Sequence, residues 1–286
     1  MWIFLITVIP FLDAFGNLFN KRSSMQGVRP VLISWSNNVV VVLLVLVLSF
    51  FISFKLTAAY FLALSVTGTI NIFATILYMH AVSKGDISEL IPMLSFTPLF
   101  MLVTSPVIVG EIPRPGGIAG IFLVVTGSYM LNINLKKRNF ADPIKALFRS
   151  AGTRIMLFVS FLYSITSNFD KVAVNASSPI QHLLFLNLYV FLGVSAIVLL
   201  TKNFKKEELI LGRYNLIMLS IINLIGSLLF LLAITYTYVA YVIALKRTSG
   251  MLSVLLGHFV LGEAKLRERL LGSFIMFAGV LLILLS

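Results

Sequence analysis

Two adjacent cations, Lys246-Arg247, stand about eight residues inside an apolar stretch spanning 239–261, roughly 12 Å from its start at 1.5 Å per helical residue. Cations at that depth cost about 2.5–3.5 kcal/mol each on insertion scales, so they must face protein or water, not lipid. The chemistry open to them is anion binding. Arginine presents a planar fork that fits carboxylate or phosphate, and lysine adds a point charge. Thr248-Ser249 follow with hydroxyls. The competing reading is structural: an ion pair with an acid on another helix, or snorkelling to the interface.

The acids and amides offer fewer possibilities. Asp13 lies mid-stretch in the first apolar run, with Asn17 one turn on and on the same face. Such a carboxyl is a candidate proton relay, a counter-ion for Lys246 or Arg247, or a hydrogen-bonded structural acid. Asp170-Lys171 closes the sixth apolar run. It reads as an interfacial pair, unless Asp170 reaches a cavity and serves as a coupling group or counter-ion. Asn71 and Asn223 suit packing glue between membrane helices, worth about 0.6 kcal/mol each, or polar groups lining a cavity. Glu89 belongs to Asp86-Ile87-Ser88-Glu89, which resembles a helix-starting capping box. Pro92 and Pro98 interrupt the helix that follows and can free carbonyls. Glu111 and Glu263 each follow a glycine at a helix junction and are expected to orient a hairpin. His80, His182 and His258 have no metal-ligand spacing and read as packed or interfacial. The sequence holds no nucleophile motif, P-loop or dinucleotide fingerprint, so neither an enzyme nor a cofactor is expected.

These residues are set in an extreme background. The 286-residue chain is 59% hydrophobic and only 11% charged, with a mean hydropathy of +1.03. A soluble domain of this length carries about 25% charged residues, and a globule needs a polar skin. Lipid removes that requirement but makes the backbone satisfy its own hydrogen bonds. The apolar runs are about 20 residues long without strict alternation, which selects helices over a barrel. The expected spans are 2–21, 31–53, 57–80, 87–109, 116–135, 154–173, 181–201, 214–235, 239–261 and 270–285. The absence of cysteine excludes disulfides and thiolate metal sites. The net charge of +12 falls mostly between the apolar runs, which points to anionic lipid and not to nucleic acid. Met1-Trp2 leads directly into the first span, so no cleaved signal is expected, and the reading is a multi-pass prokaryotic plasma-membrane protein.

A shift of 152 residues aligns spans three to five with spans eight to ten without a gap. Asn71 then falls on Asn223, Gly110-Glu111 on Gly262-Glu263, Gly120 on Gly272 and Gly127 on Gly279. The repeats are assigned to 1–138 and 154–286, with 139–153 a linker at the membrane surface. An odd number of spans per half inverts the second repeat, a transporter device in which two halves alternately expose a midplane site. At this shift Lys246 and Arg247 fall on Leu94 and Ser95, so the cations are an asymmetric addition. Ser95 joins Lys246, Arg247 and Thr248 as a candidate substrate contact. Loops 1–2, 3–4, 5–6, 7–8 and 9–10 carry 17 of the 22 Lys and Arg, which predicts cytoplasmic odd loops and external termini.

The doubled Gly-Glu and glycine pattern, Arg269, and the segment Ile91-Pro92-Met93-Leu94-Ser95-Phe96-Thr97-Pro98 together resemble the drug/metabolite transporter superfamily, EamA type. The resemblance covers essentially the whole chain. It implies an all-α integral membrane fold: ten transmembrane helices, as two inverted five-helix repeats around a central cavity that helices four and nine face. Many relatives keep their termini in the cytoplasm. Phosphate translocators and nucleotide-sugar carriers of similar fold bear a like Lys-Arg pair for substrate phosphate on helix nine. The leading expectation is a secondary carrier of a small polar metabolite across the lipid bilayer, with an anionic one favoured by Lys246-Arg247. The alternatives are a broad exporter of amino acids or drugs, a lipid-carrier flippase and a non-transporting membrane scaffold.

Overall fold

A computed structural model describes residues 2–50, 53–82, 90–132, 150–201, 204–252 and 266–286. Every regular element among the described residues is a helix. They are α1 (Trp2–Met25), α2 (Pro30–Ser49), α3 (Ala58–Val82), a 3-10 segment (Ile91–Phe96) running into α4 (Thr97–Ile108), α5 (Pro115–Asn132), α6 (Ala151–Ala176), α7 (Pro179–Leu200), α8 (Lys206–Tyr236), α9 (Val239–Lys246) and α10 (Leu266–Leu285). Four stretches, Pro30–Val47, Ala58–Tyr78, Pro179–Leu200 and Lys206–Tyr236, are long and apolar enough to cross a membrane. Met93–Ile108, Pro115–Met130 and Leu271–Leu285 are shorter apolar helices.

Three spans differ from expectation. Helix α8 starts eight residues before the expected 214. Its first turn carries Glu207 and Glu208, acids that complement a helix N-terminus but are invisible to an apolar count. Span four opens as a 3-10 helix, and span nine stops after Lys246 and resumes over 249–252. Glu89, His258, Gly262-Glu263 and most of the 139–153 linker lie outside the described residues, as do the basic residues Lys136, Lys137 and Arg138 and the side chain of Arg269.

The described contacts divide into two compact units that cut across the sequence repeats. Unit 1 is Met1–Ile72 with Phe169–Tyr236, and unit 2 is Phe73–Asn168 with Thr237–Ser286. In unit 1, α1 packs on α8, and α2 packs on α7 and α8. Polar side chains tie these helices inside apolar surroundings. The Trp35 indole donates to Ser195 Oγ at 2.9 Å, and Asn223 Nδ2 donates to Asn37 Oδ1 at 2.9 Å. At the start of α8, Arg29 and Glu208 form an ion pair at 3.0 Å. The turn between α6 and α7 is written in the sequence: Ser178 is the N-cap of α7, accepting from Gln181 N, and Pro179 opens the helix.

In unit 2 the main seam joins α5 to α10. A Cβ on Gly120 would lie 2.7 Å from the carbonyl oxygen of Gly279, and one on Gly127 would lie 2.6 Å from that of Gly272. The duplicated glycines therefore let two antiparallel backbones touch, as small residues do between membrane helices. Helix α9 packs on α4 and α5. Across both units, α2–α7, α4–α9 and α5–α10 each join helices that occupy equivalent places in the two repeats.

Candidate functional site: two interrupted helices

Proline sets the first interruption. Pro98 has no N–H to give to the carbonyl of Leu94 four residues back. Thr97 takes over that carbonyl twice, through its backbone N–H and through Oγ1 at 2.7 Å. The chain consequently passes from 3-10 to α geometry at Thr97. The second interruption uses the same bonds without a proline. Thr248 donates its N–H to Leu245 O at 2.9 Å and its Oγ1 to the same oxygen at 2.7 Å. Thr97 and Thr248 fall one residue from the repeat offset found in the sequence.

The two interruptions meet through one side chain. Arg247, at the C-cap of α9, donates from Nη2 to Thr97 Oγ1 at 3.0 Å. With its proton committed to Leu94, the threonine oxygen turns a lone pair to the guanidinium. Tyr163 on α6 lies close enough to interact electrostatically with Arg247 and with Tyr78 on α3. Lys246 and Thr248 flank Arg247, both half-buried. Ser95 is buried, and its hydroxyl shares a 2.5 Å hydrogen bond with Ser128 on α5. Arg247, Lys246 and Thr248 on one helix and Thr97 on the other thus form one polar locus in unit 2, with Ser95 supporting it from the 3-10 segment. Sequence reading missed Thr97, Tyr163 and Tyr78. Thr97 could have been found, because a threonine immediately before an intrahelical proline is the natural donor to the carbonyl that the proline abandons.

The other candidates lie elsewhere. Asp13 is half-buried and Asn17 exposed on α1, in unit 1. Asn71 Nδ2 bonds Thr67 O on its own helix at 2.9 Å, whereas Asn223 reaches across to α2. Glu111 Oε2 accepts from Val239 N, the first residue of α9, at 2.9 Å. Asp170 is not at the end of its helix, since α6 runs on to Ala176. It is 7% exposed. It accepts from Thr67 Oγ1 at 2.6 Å and meets His182 Nε2 at 3.1 Å. His182, read from sequence as a packed or interfacial residue, is fully buried against this acid.

A doubled helical unit with an interruption at matching points of both halves is the architecture of a membrane transporter of the drug/metabolite type. The model of the EamA-like transporter family matches residues 1–133 and 151–285, and the chain belongs to that family. No curated protein matches it. Among 29 matching solved chains, one crystal structure superposes with a TM-score of 0.75 at 15% identity, covering 98% of this chain and 98% of its own. At that identity the likeness concerns the fold.

Proposed function

We propose that the chain is a secondary transporter of a small polar organic anion, working by alternating access in a prokaryotic plasma membrane. Lys246 and Arg247 would hold the anionic group, with Thr248 and Thr97 as hydroxyl partners and Ser95 keeping the 3-10 segment in place. The observation that carries this reading is the Arg247–Thr97 hydrogen bond, which sets a guanidinium at the paired interruptions of two helices. Interrupted helices in corresponding positions of two repeats are the best pointer to a transporter's binding site. A guanidinium carries five N–H donors, so Nη2 can stay on Thr97 Oγ1 while other donors of the same fork meet a carboxylate or phosphate in charge-assisted bonds. Tyr163 would add a phenol donor at the same place.

The test is exchange in proteoliposomes across a panel of small carboxylates and phosphates. Arg247→Ala should lower exchange at least tenfold while the protein still inserts and elutes as a folded species, and Arg247→Lys should retain part of it. Unchanged exchange of every transported member of the panel in Arg247→Ala would remove the anion site.

A further inference from the structure

We infer that Asp170 and His182 form a proton-binding site in unit 1, at which the carrier takes up and releases a coupling proton. Coupling rests on the carrier reading above; proton binding stands on the following geometry alone. The α6–α7 turn folds the two residues onto each other, and α3 closes over them. Both hydrogen bonds at Asp170 land on Oδ1, one from Thr67 and one shared with His182 Nε2. Oδ2 receives neither, and the Asp170 side chain keeps 10% exposure against 0% for His182. His182 Nδ1 is buried with no hydrogen-bond partner among the described residues.

That last fact fixes the tautomer. A proton on Nδ1 would leave a buried donor unsatisfied, at a cost of about 1–3 kcal/mol. The ring proton therefore belongs on Nε2, donated to Asp170, and Nδ1 keeps its lone pair. So arranged, carboxylate plus neutral imidazole carries a net charge of −1 beside an apolar cluster of Tyr60, Ala63, Leu64 and Ala173. One proton from water neutralises the pair as a carboxylic acid at Oδ2, which leaves the His182 tautomer unchanged. No heavy-atom bond forms or breaks, and release returns the same proton to water. A purely structural acid in such a place would have both oxygens filled and an imidazole bonded at both nitrogens. Here, among the described residues, each partner keeps one vacant acceptor.

The surrounding elements contribute few titratable groups. Tyr60 on α3 stands edge-on to the His182 ring with centroids 6.2 Å apart. Lys171 follows Asp170 on α6, and Tyr189 on α7 bonds Thr69 of α3. Lys55, on the segment before α3, is held through its backbone by the Gln181 side chain. The α2 sequence, packed on α7, carries no ionisable side chain.

The test uses the full chain in lipid nanodiscs with no substrate. Infrared pH-difference spectra of the labelled aspartates report the carboxyl, and nitrogen-15 histidine spectra report the ring. The wild type should take up a proton at the pair. Asp170→Asn should remove the carboxyl band and alter the His182 signal, itself identified by its loss in His182→Gln. Glutamine keeps an N–H donor for Asp170, so that variant guards against misreading a folding defect. A pair that stays in one protonation state over the whole pH range in which the protein is folded overturns the proposal. In proteoliposomes, accumulation of succinate or inorganic phosphate driven by a pH gradient should fall at least tenfold in Asp170→Asn, and undiminished accumulation would overturn the coupling role. If the wild type moves neither probe, the anion reading fails, and the spectra alone decide this one.

Discussion

Arg247 donates to Thr97 across 3.0 Å, and Thr97 in turn donates to Leu94 O across 2.7 Å. A cation in one interrupted helix is thereby tied to a carbonyl that a proline released in another. The relay makes the threonine hydroxyl part of the site. Thr97→Val keeps the shape and removes both bonds. A hydrogen bond to a charged group contributes about 1.5–3 kcal/mol, so anion affinity is expected to weaken about tenfold or more as Arg247 loses its support. Thr97→Ser should behave like the wild type. Concentration dependence of exchange for the three proteins checks this.

The glycine seam predicts a stability effect of clear sign. Gly120→Ala would press a methyl to 2.7 Å from the backbone oxygen of Gly279 and the Cγ1 of Ile283. Overpacking of this kind costs about 1–3 kcal/mol. Gly116, on the same helix, would meet only Ser286 Cβ at 3.5 Å. Gly116→Ala should be neutral or stabilise by about 0.4–1 kcal/mol, through lower entropy of the unfolded chain. Thermal unfolding of the detergent-solubilised variants separates the two.

Much of this scaffold was legible in the sequence. The duplicated glycines were legible as a repeat at a fixed offset, and the structure gives the reason for them: they sit where α5 and α10 approach too closely for a side chain. Lys246-Arg247 stood out because charge is rare in apolar runs. The partners were harder to read. Thr97 and Tyr163 are ordinary residues for a membrane helix; the packing of α9 on α4 selects the first, and the approach of α6 to Arg247 the second. Asp170 and His182 lie on opposite sides of a Ser-Ser-Pro turn, and a search for metal spacing within one helix passes over a pair made by a hairpin. Hydropathy likewise began α8 too late, since it weighs apolar content and ignores a capping turn of acids.

The ion pair at the start of α8 is unequal in its two partners. Glu208 accepts from the Arg29 side chain and also from the Arg29 backbone N–H, at 3.1 Å each. Arg29→Ala removes the guanidinium but leaves the backbone bond available, and exposed pairs are worth about 0.2–1 kcal/mol. Glu208→Ala removes both bonds and should cost more, about 1–2 kcal/mol. Added salt should shrink the effect of Arg29→Ala more than that of Glu208→Ala, because screening weakens the exposed ion pair while the backbone bond persists. Unfolding at low and high ionic strength measures the difference.

Glu111 acts on the site from the far end of α9. Its Oε2 accepts from Val239 N at 2.9 Å, so the acid supplies the N-terminal cap that Tyr238, with no capping side-chain bond of its own, does not. Arg247 lies eight residues along that helix, and any fraying of the first turn shifts the guanidinium relative to Thr97. Losing a helix cap costs about 0.5–2 kcal/mol, which Glu111→Ala should show as lowered thermal stability. Glu111→Gln keeps an oxygen acceptor and loses only the charge that favours a helix N-terminus, worth about 0.3–1 kcal/mol. Stability should therefore rank wild type above Gln above Ala, and exchange should follow the same order. Glu111→Ala with undiminished exchange would mean that the cap supports the fold without setting the position of Arg247.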